Sequence, residues 1–240
     1  VGRIILDEWD FILIERLKAD GRSVSAEEAE KFLLEELEKS GPKSEDALWN
    51  LAIFYSKTKR QSIALNYIKR LVDNTDDPEK KGLYFLSMGQ FMEKIGDYDS
   101  AITFYKQAFS LEPTDSKVWY YVNNNLGYCL NHFGRHQEAE RYCQAAIKIN
   151  PQKYNAYKNL GISLEGQGKY SEAANLYVVA VRLNPTDPRA LVHLENLVTK
   201  HGEVSLEVPD IYEKLEECRE VVKKMREFLQ KFEKESDEPW

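Results

Sequence analysis

Cys129, His132, His136 and Cys143 read C-x2-H-x3-H-x6-C, a set of sulfur and imidazole donors that invites a test for zinc. Tetrahedral coordination needs all four donor atoms within about 2.0 to 2.3 Å of one point. The spacing predicts two helices and the turn between them, with His132 and Cys143 on different faces, so buried thiols and surface imidazoles are expected and no metal is assigned. The chain shows no nucleophile elbow, phosphate loop or H-E-x-x-H helix, and neither a catalytic residue nor a cofactor is assigned. Hydrogen bonding is the other chemistry on offer. Residues 123 to 129 read NNNLGYC, and asparagine is a mediocre helix former because its carboxamide competes for nearby backbone groups. Three in a row within a helix need a reason other than propensity.

The elements that must position these groups recur. Gly89, Gly127 and Gly161 are separated by 38 and 34 residues, and the same two steps separate Gly96, Gly134 and Gly168, then Ala101, Ala139 and Ala173, then Pro113, Pro151 and Pro185. Ala52 and Ala64 stand 37 residues before Gly89 and Ala101 and add a first, less regular copy. Each unit reads as two short amphipathic helices joined by a Gly-containing turn (IGDY, FGRH, QGKY). Small residues let the two backbones approach, and proline ends the second helix by removing a donor. A unit of this size cannot bury its apolar face alone, so the units must stack.

Residues 154 to 187, YNAYKNLGISLEGQGKYSEAANLYVVAVRLNPTD, resemble a tetratricopeptide repeat through Tyr157, Leu160, Gly161, Ala173, Tyr177, Ala180 and Pro185. Residues 82 to 115 match through Phe85, Met88, Gly89, Ala101, Tyr105, Ala108 and Pro113, and residues 120 to 153 through Leu126, Gly127, Ala139, Ala146 and Pro151. Residues 45 to 78 match loosely through Leu48, Leu51, Ala52, Tyr55 and Ala64. The resemblance implies an all-α fold, a right-handed α-solenoid of stacked helix-turn-helix repeats with helical caps at both ends. The expected organisation is an N-terminal helical cap or degenerate repeat over 1–42, four repeats over 45–78, 82–115, 120–153 and 154–187, the first helix of a fifth over 188–202, and a long capping helix over 209–234. Ser25 with Glu28 forms a capping-box pattern, and Gly41-Pro42 closes the helix it opens. The four extra residues 116–119 predict a first helix one turn longer in the third repeat, with Trp119 on the face of Asn123. In the last helix Ile211, Leu215, Cys218, Val222, Met225, Leu229 and Phe232 alternate steps of four and three, a heptad seam that either caps the open end or pairs two copies.

Each unit is numbered from 1, so that Gly161 is position 8. At 100° per residue, positions 4, 7, 8 and 11 face the partner helix, while 2, 5, 6, 9 and 13 fall opposite and merge into a concave groove when units stack. Position 6 is Asn50, Ser87, Asn125, Asn159 and His193. A carboxamide offers a donor and an acceptor together and can pair with the backbone of an extended peptide of any sequence. Tyr121, Asn124, Tyr128, Asn155, Lys158 and Arg189 are the neighbours expected to read that peptide's side chains. Asn123 takes position 4, where other units carry Leu48, Phe85, Tyr157 and Leu191, and the extra turn is expected to shift it outward. The clamp by which some family members grip chaperone C-terminal carboxylates is matched outright only at Asn159, with Arg189 preserving charge, so co-chaperone function is not expected. The resemblance implies a non-catalytic adaptor that binds a peptide segment of a partner protein. Its rivals are a self-assembling scaffold paired through 209–234 and a regulatory fragment of a larger repeat-containing enzyme.

Bulk properties agree with a binding protein. A chain of 240 residues, 42% hydrophobic and 30% charged, can bury a sizeable core. A net charge of -7 argues against nucleic acid or an anionic membrane as the main partner, since both call for clustered Lys and Arg. Cys129, Cys143 and Cys218 imply no disulfide framework, which favours a reducing compartment and a cytoplasmic location. The opening VGRIILDEWDFILIERL is apolar, but Asp7, Glu8, Asp10 and Glu15 interrupt it, so a packed helix is expected rather than a targeting segment; a start at Val1 is compatible with a trimmed chain. Elsewhere no apolar run reaches the roughly 18 residues of a membrane span.

Overall fold

Five helix starts among the described residues are set by side chains that accept free backbone N–H groups of the first turn. The Ser25 hydroxyl accepts from the Glu28 N–H at 3.2 Å while the Glu28 carboxylate accepts from the Ser25 N–H at 2.9 Å, so the capping box forms. Ser44, Asp77, Asp97 and Asp115 do the same for four later helices. The computed structural model of the protein describes residues 25–236, with side chains through 231. Among the described residues there are twelve helices and no strand. They are α1 (Ala26–Ser40), α2 (Glu45–Lys57), α3 (Gln61–Asp73), α4 (Pro78–Lys94), α5 (Tyr98–Ser110), α6 (Ser116–His132), α7 (His136–Ile149), α8 (Tyr154–Glu165), α9 (Tyr170–Leu183), α10 (Arg189–Lys200), α11 (Val204–Glu207) and α12 (Ile211–Ser236). The fold is all-α, with helices in successive pairs. The apolar opening segment expected as a helix lies outside the described residues.

One turn geometry joins the helices of all four pairs. Gly96, Gly134 and Gly168 sit at φ +82°, +69° and +76°, the left-handed region that glycine enters without a Cβ penalty. The residue after each donates back across the turn: Asp97 to Met92 O, Arg135 to Leu130 O and Lys169 to Leu164 O, each at 2.9 Å. This is the Schellman arrangement, which satisfies a carbonyl the helix end would leave open. The first pair makes the same bond, from Arg60 to Tyr55 O at 2.8 Å, but its left-handed residue is Lys59 at φ +60°. Within the pairs, glycine at position 8 meets the side chain at position 24. A Cβ on Gly89 would lie 2.3 Å from the Tyr105 ring, on Gly127 2.3 Å from Cys143 Sγ, and on Gly161 2.5 Å from the Tyr177 ring. The first pair solves the same contact with Ala52 and Ile68, both fully buried.

Two compact units divide the chain at residues 122 and 123, inside α6. In the first, Leu48, Trp49, Leu51, Ile68, Tyr84 and Phe91 form a core that Ala29 and Leu33 of α1 join. In the second, Tyr177, Val181, Leu194 and Leu197 pack with Ile211, Leu215, Cys218 and Val222 of α12. The extra residues lengthen α6 to 17 residues, against 12 in α8, and Trp119 stacks on Phe109 with ring centroids 4.8 Å apart. Asn123 corrects the expectation drawn from that insertion. It is 1% exposed and not turned outward, and it is not left without a partner. A whole added turn advances the helix without rotating the residues that follow, so position 4 keeps its inward direction. Among the described residues no helix is long and apolar enough to cross a membrane.

Candidate functional site

The densest polar cluster in the second unit is built on α6 and α8. Asn159 Nδ2 donates to Asn124 Oδ1 at 3.1 Å, and Asn124 Nδ2 donates to Asn125 Oδ1 at 2.9 Å, so three carboxamides run head to tail across two helices. All three are buried, Asn159 to 2% exposure. At the head of the relay Asn159 Oδ1 is buried and finds no donor among the described residues. A buried acceptor in that state costs about 1 to 3 kcal/mol.

Asn131 ties the relay to the turn. Its Nδ2 donates to the Asn159 backbone carbonyl at 2.8 Å, which fixes the amide orientation. Its Oδ1 then accepts from Ser163 Oγ at 3.0 Å and faces His136 Nδ1 at 3.1 Å, so His136 must carry its proton on Nδ1 there. The ring of His136 lies against Gly166, where an added Cβ would come within 2.3 Å of it. Sequence reading did not single out Asn131, yet the register holds the signal. Position 12 is Glu93 in the second repeat and Glu165 in the fourth, each accepting from the tyrosine at position 24, Tyr105 at 2.8 Å and Tyr177 at 2.6 Å. The third repeat changes both partners at once, to Asn131 and Cys143, and frees position 12 to reach toward α8.

Beside the relay, Lys158 is 5% exposed and His193 half-buried, the latter stacked on Tyr177 with centroids 5.2 Å apart. Burial pulls the His193 imidazole below its ordinary value, Glu165 opposes this, and the Lys158 and Arg189 cations add to it, so His193 is neutral at pH 7. Arg189 is committed within the chain: its Nε donates to both Asp187 oxygens, at 2.8 and 2.9 Å, while Tyr154 donates to the same carboxylate at 2.6 Å. Tyr128 and Asn155 are half-buried on the same two helices as the relay. In the first unit Asn50 and Tyr121 are half-buried, and Ser87 is 2% exposed with its hydroxyl donated to Leu83 O at 2.9 Å.

The four candidate zinc donors are not brought together. Cys129 and Cys143 are buried, His132 is exposed and His136 is engaged by Asn131; among the described residues no three His, Cys, Asp or Glu side chains converge as ligands. Burial pushes the Cys143 thiol up to about 12, the opposite of an activated nucleophile. The arrangement can offer neutral donors and acceptors and a buried cation.

A family model for the tetratricopeptide repeat matches residues 120–185, and a second one, also for that repeat, matches residues 84–115. Residues 84–115 and 120–185 thus match models of the tetratricopeptide repeat. Among curated proteins none matches it. Of solved structures, MamA from Desulfovibrio magneticus RS-1, from its residue 41 to the end, is similar at 20% identity, with 77% of this chain and 97% of that chain covered and a TM-score of 0.61. YrrB, a TPR protein with an unusual peptide-binding site, is similar at 18% identity, with 79% and 93% covered and a TM-score of 0.57. Likeness at these identities concerns the fold alone.

Proposed function

We propose that this tetratricopeptide-repeat chain is a non-catalytic adaptor that holds a peptide segment of a partner protein along the α6 and α8 wall of its second unit, with His193 of α10 at the edge. The observation that carries the reading is the carboxamide relay from Asn125 through Asn124 to Asn159, whose last acceptor is unpaired. Asn159 Oδ1 has no accessible surface, so a peptide N–H would relieve that penalty only by displacing the side chains that cover it. Tyr128, Asn155 and Lys158 flank it and supply the sequence-reading contacts. The peptide-binding site of YrrB supports the same use of this fold. A few net hydrogen bonds of about 0.5 to 1.5 kcal/mol each, with aromatic contacts, put the affinity near micromolar.

The test is to select peptides from a random display library against the intact chain and to titrate the selected peptide calorimetrically. Tyr128→Ala with Asn155→Ala, both half-buried, is expected to weaken it about tenfold, roughly 1.4 kcal/mol. Replacing the peptide N–H groups by N-methyl should abolish binding to the wild-type chain. Unchanged affinity in both experiments, with helicity retained, sinks the reading.

A further inference from the structure

Two stacked pairs of rings join α9 to α10. Tyr170, at the start of α9, lies over His201, just past the end of α10, with centroids 3.6 Å apart and planes 18° apart. Tyr177, about two turns along α9, lies over His193 of α10 at 5.2 Å and 17°. α12 packs on both helices through Ile211, Leu215, Cys218 and Val222, so whatever holds α10 to α9 also holds this cap.

The two imidazoles meet different charges. His201 Nδ1 is 3.2 Å from a Glu203 carboxylate oxygen, so a proton gained there is answered by an anion. His193 is half-buried over the fully buried Tyr177 ring, whose hydroxyl donates to Glu165 at 2.6 Å. α8 brings Glu165 and Lys158 to bear on His193 and α10 brings Arg189; α9 offers the uncharged Tyr177, and α12 contributes no charge among the described residues. Glu165 and the face of the Tyr177 ring favour a cation, but burial, with Lys158 and Arg189 adding to it, outweighs them, so the packed state favours the neutral imidazole.

We propose that these stacks form an acid-sensitive clip: neutral His193 keeps α10, and α12 with it, closed on α9, and protonation of His193 loosens this end of the second unit. Opening returns His193 to the ordinary imidazole value of about 6.5, above the one it has when packed, so opening takes up a proton. The clip is at full strength above about pH 6.5 and weakens as pH falls from there toward the lower packed value. It needs no bound peptide.

The test is hydrogen exchange of the full chain, read by mass spectrometry at pH 7 and at about pH 5.5 and normalised to the chemical exchange rate at each pH. In the wild-type chain, protection of 189–200 and 211–222 is expected to fall by about three- to tenfold at the lower pH, with 45–94 changing less. His193→Phe keeps a ring over Tyr177 but takes no proton, and should give equal protection at the two pH values. His193→Asn, the residue type that Asn50, Asn125 and Asn159 place at position 6, should show no pH response either, at lower protection. His201→Phe should retain the wild-type response. Undiminished wild-type protection at the lower pH overturns the clip. A loss on acidification that persists in both His193 variants, that disappears in His201→Phe, or that spreads equally to 45–94 overturns it as well.

Discussion

At the scale of single residues, the position with φ > 0 in each helix-turn-helix pair makes an internally controlled experiment. Lys59 occupies at φ +60° the place that Gly96, Gly134 and Gly168 hold in the other three pairs. A side chain in that region costs roughly 1 to 2 kcal/mol, so Lys59→Gly should raise stability by about 1 kcal/mol while Gly96→Ala, which meets no atom within 4 Å, should lower it by a similar amount. Urea denaturation of the two variants checks the opposite signs. Asp187 offers a second test with a defined pH window. The Arg189 guanidinium holds its carboxyl well below the usual carboxylate range, with the Tyr154 hydroxyl adding to the effect. Its contribution is therefore complete above the unfolded value near pH 4 and fades as pH falls below it. The Arg189 side chain is 62% exposed, which limits the pair to about 1 kcal/mol. Asp187→Asn should lower the unfolding temperature at pH 7, and the deficit should be smaller but still present at pH 3, closing only as pH falls through the depressed native value. Asn131 marks where residue-level reading stops: its role comes from the loss of a tyrosine at position 24, a pairwise swap that no single position advertises.

At the scale of helices, much of the fold was legible because its markers answer local demands. Glycine at Gly96, Gly134 and Gly168 meets a backbone angle, and proline at Pro113, Pro151 and Pro185 removes a donor, so both recur wherever the geometry recurs. The first pair was harder to read because Lys59 tolerates that angle without announcing it. Two features were not legible. Asn123 was expected to turn outward, but a whole added turn preserves direction. The heptad seam of α12 runs unbroken from Ile211 to Leu229, yet only the part that α9 and α10 reach is buried, and that limit belongs to the length of its neighbours. The two halves should accordingly respond differently to truncation. Leu215→Ala, at 6% exposure, is expected to destabilise by about 2 to 5 kcal/mol. Leu229→Ala, at 42%, should cost under about 0.5 kcal/mol. Melting curves at low protein concentration separate the two.

At the scale of the whole chain, the two units carry separate cores, one centred on Leu48, Trp49 and Phe91 and the other on Tyr177, Leu194 and Leu197. Stacked repeats gain stability from neighbours and little from distant contacts, so a defect need not spread along the whole array. A cavity in one core should raise local opening there while leaving the other near its original stability. Leu48→Ala and Leu194→Ala remove side chains with no exposed surface, each at a cost of about 2 to 5 kcal/mol. Hydrogen exchange read by mass spectrometry should therefore speed up across 45–94 in the first variant and across 154–200 in the second, with the opposite segment largely unchanged. Equal acceleration of both segments by either substitution would mean that the chain opens as one cooperative body. The distinction bears on function, because a partner peptide held along α6 and α8 should then protect the second unit against exchange while leaving the α2 to α4 region as it was.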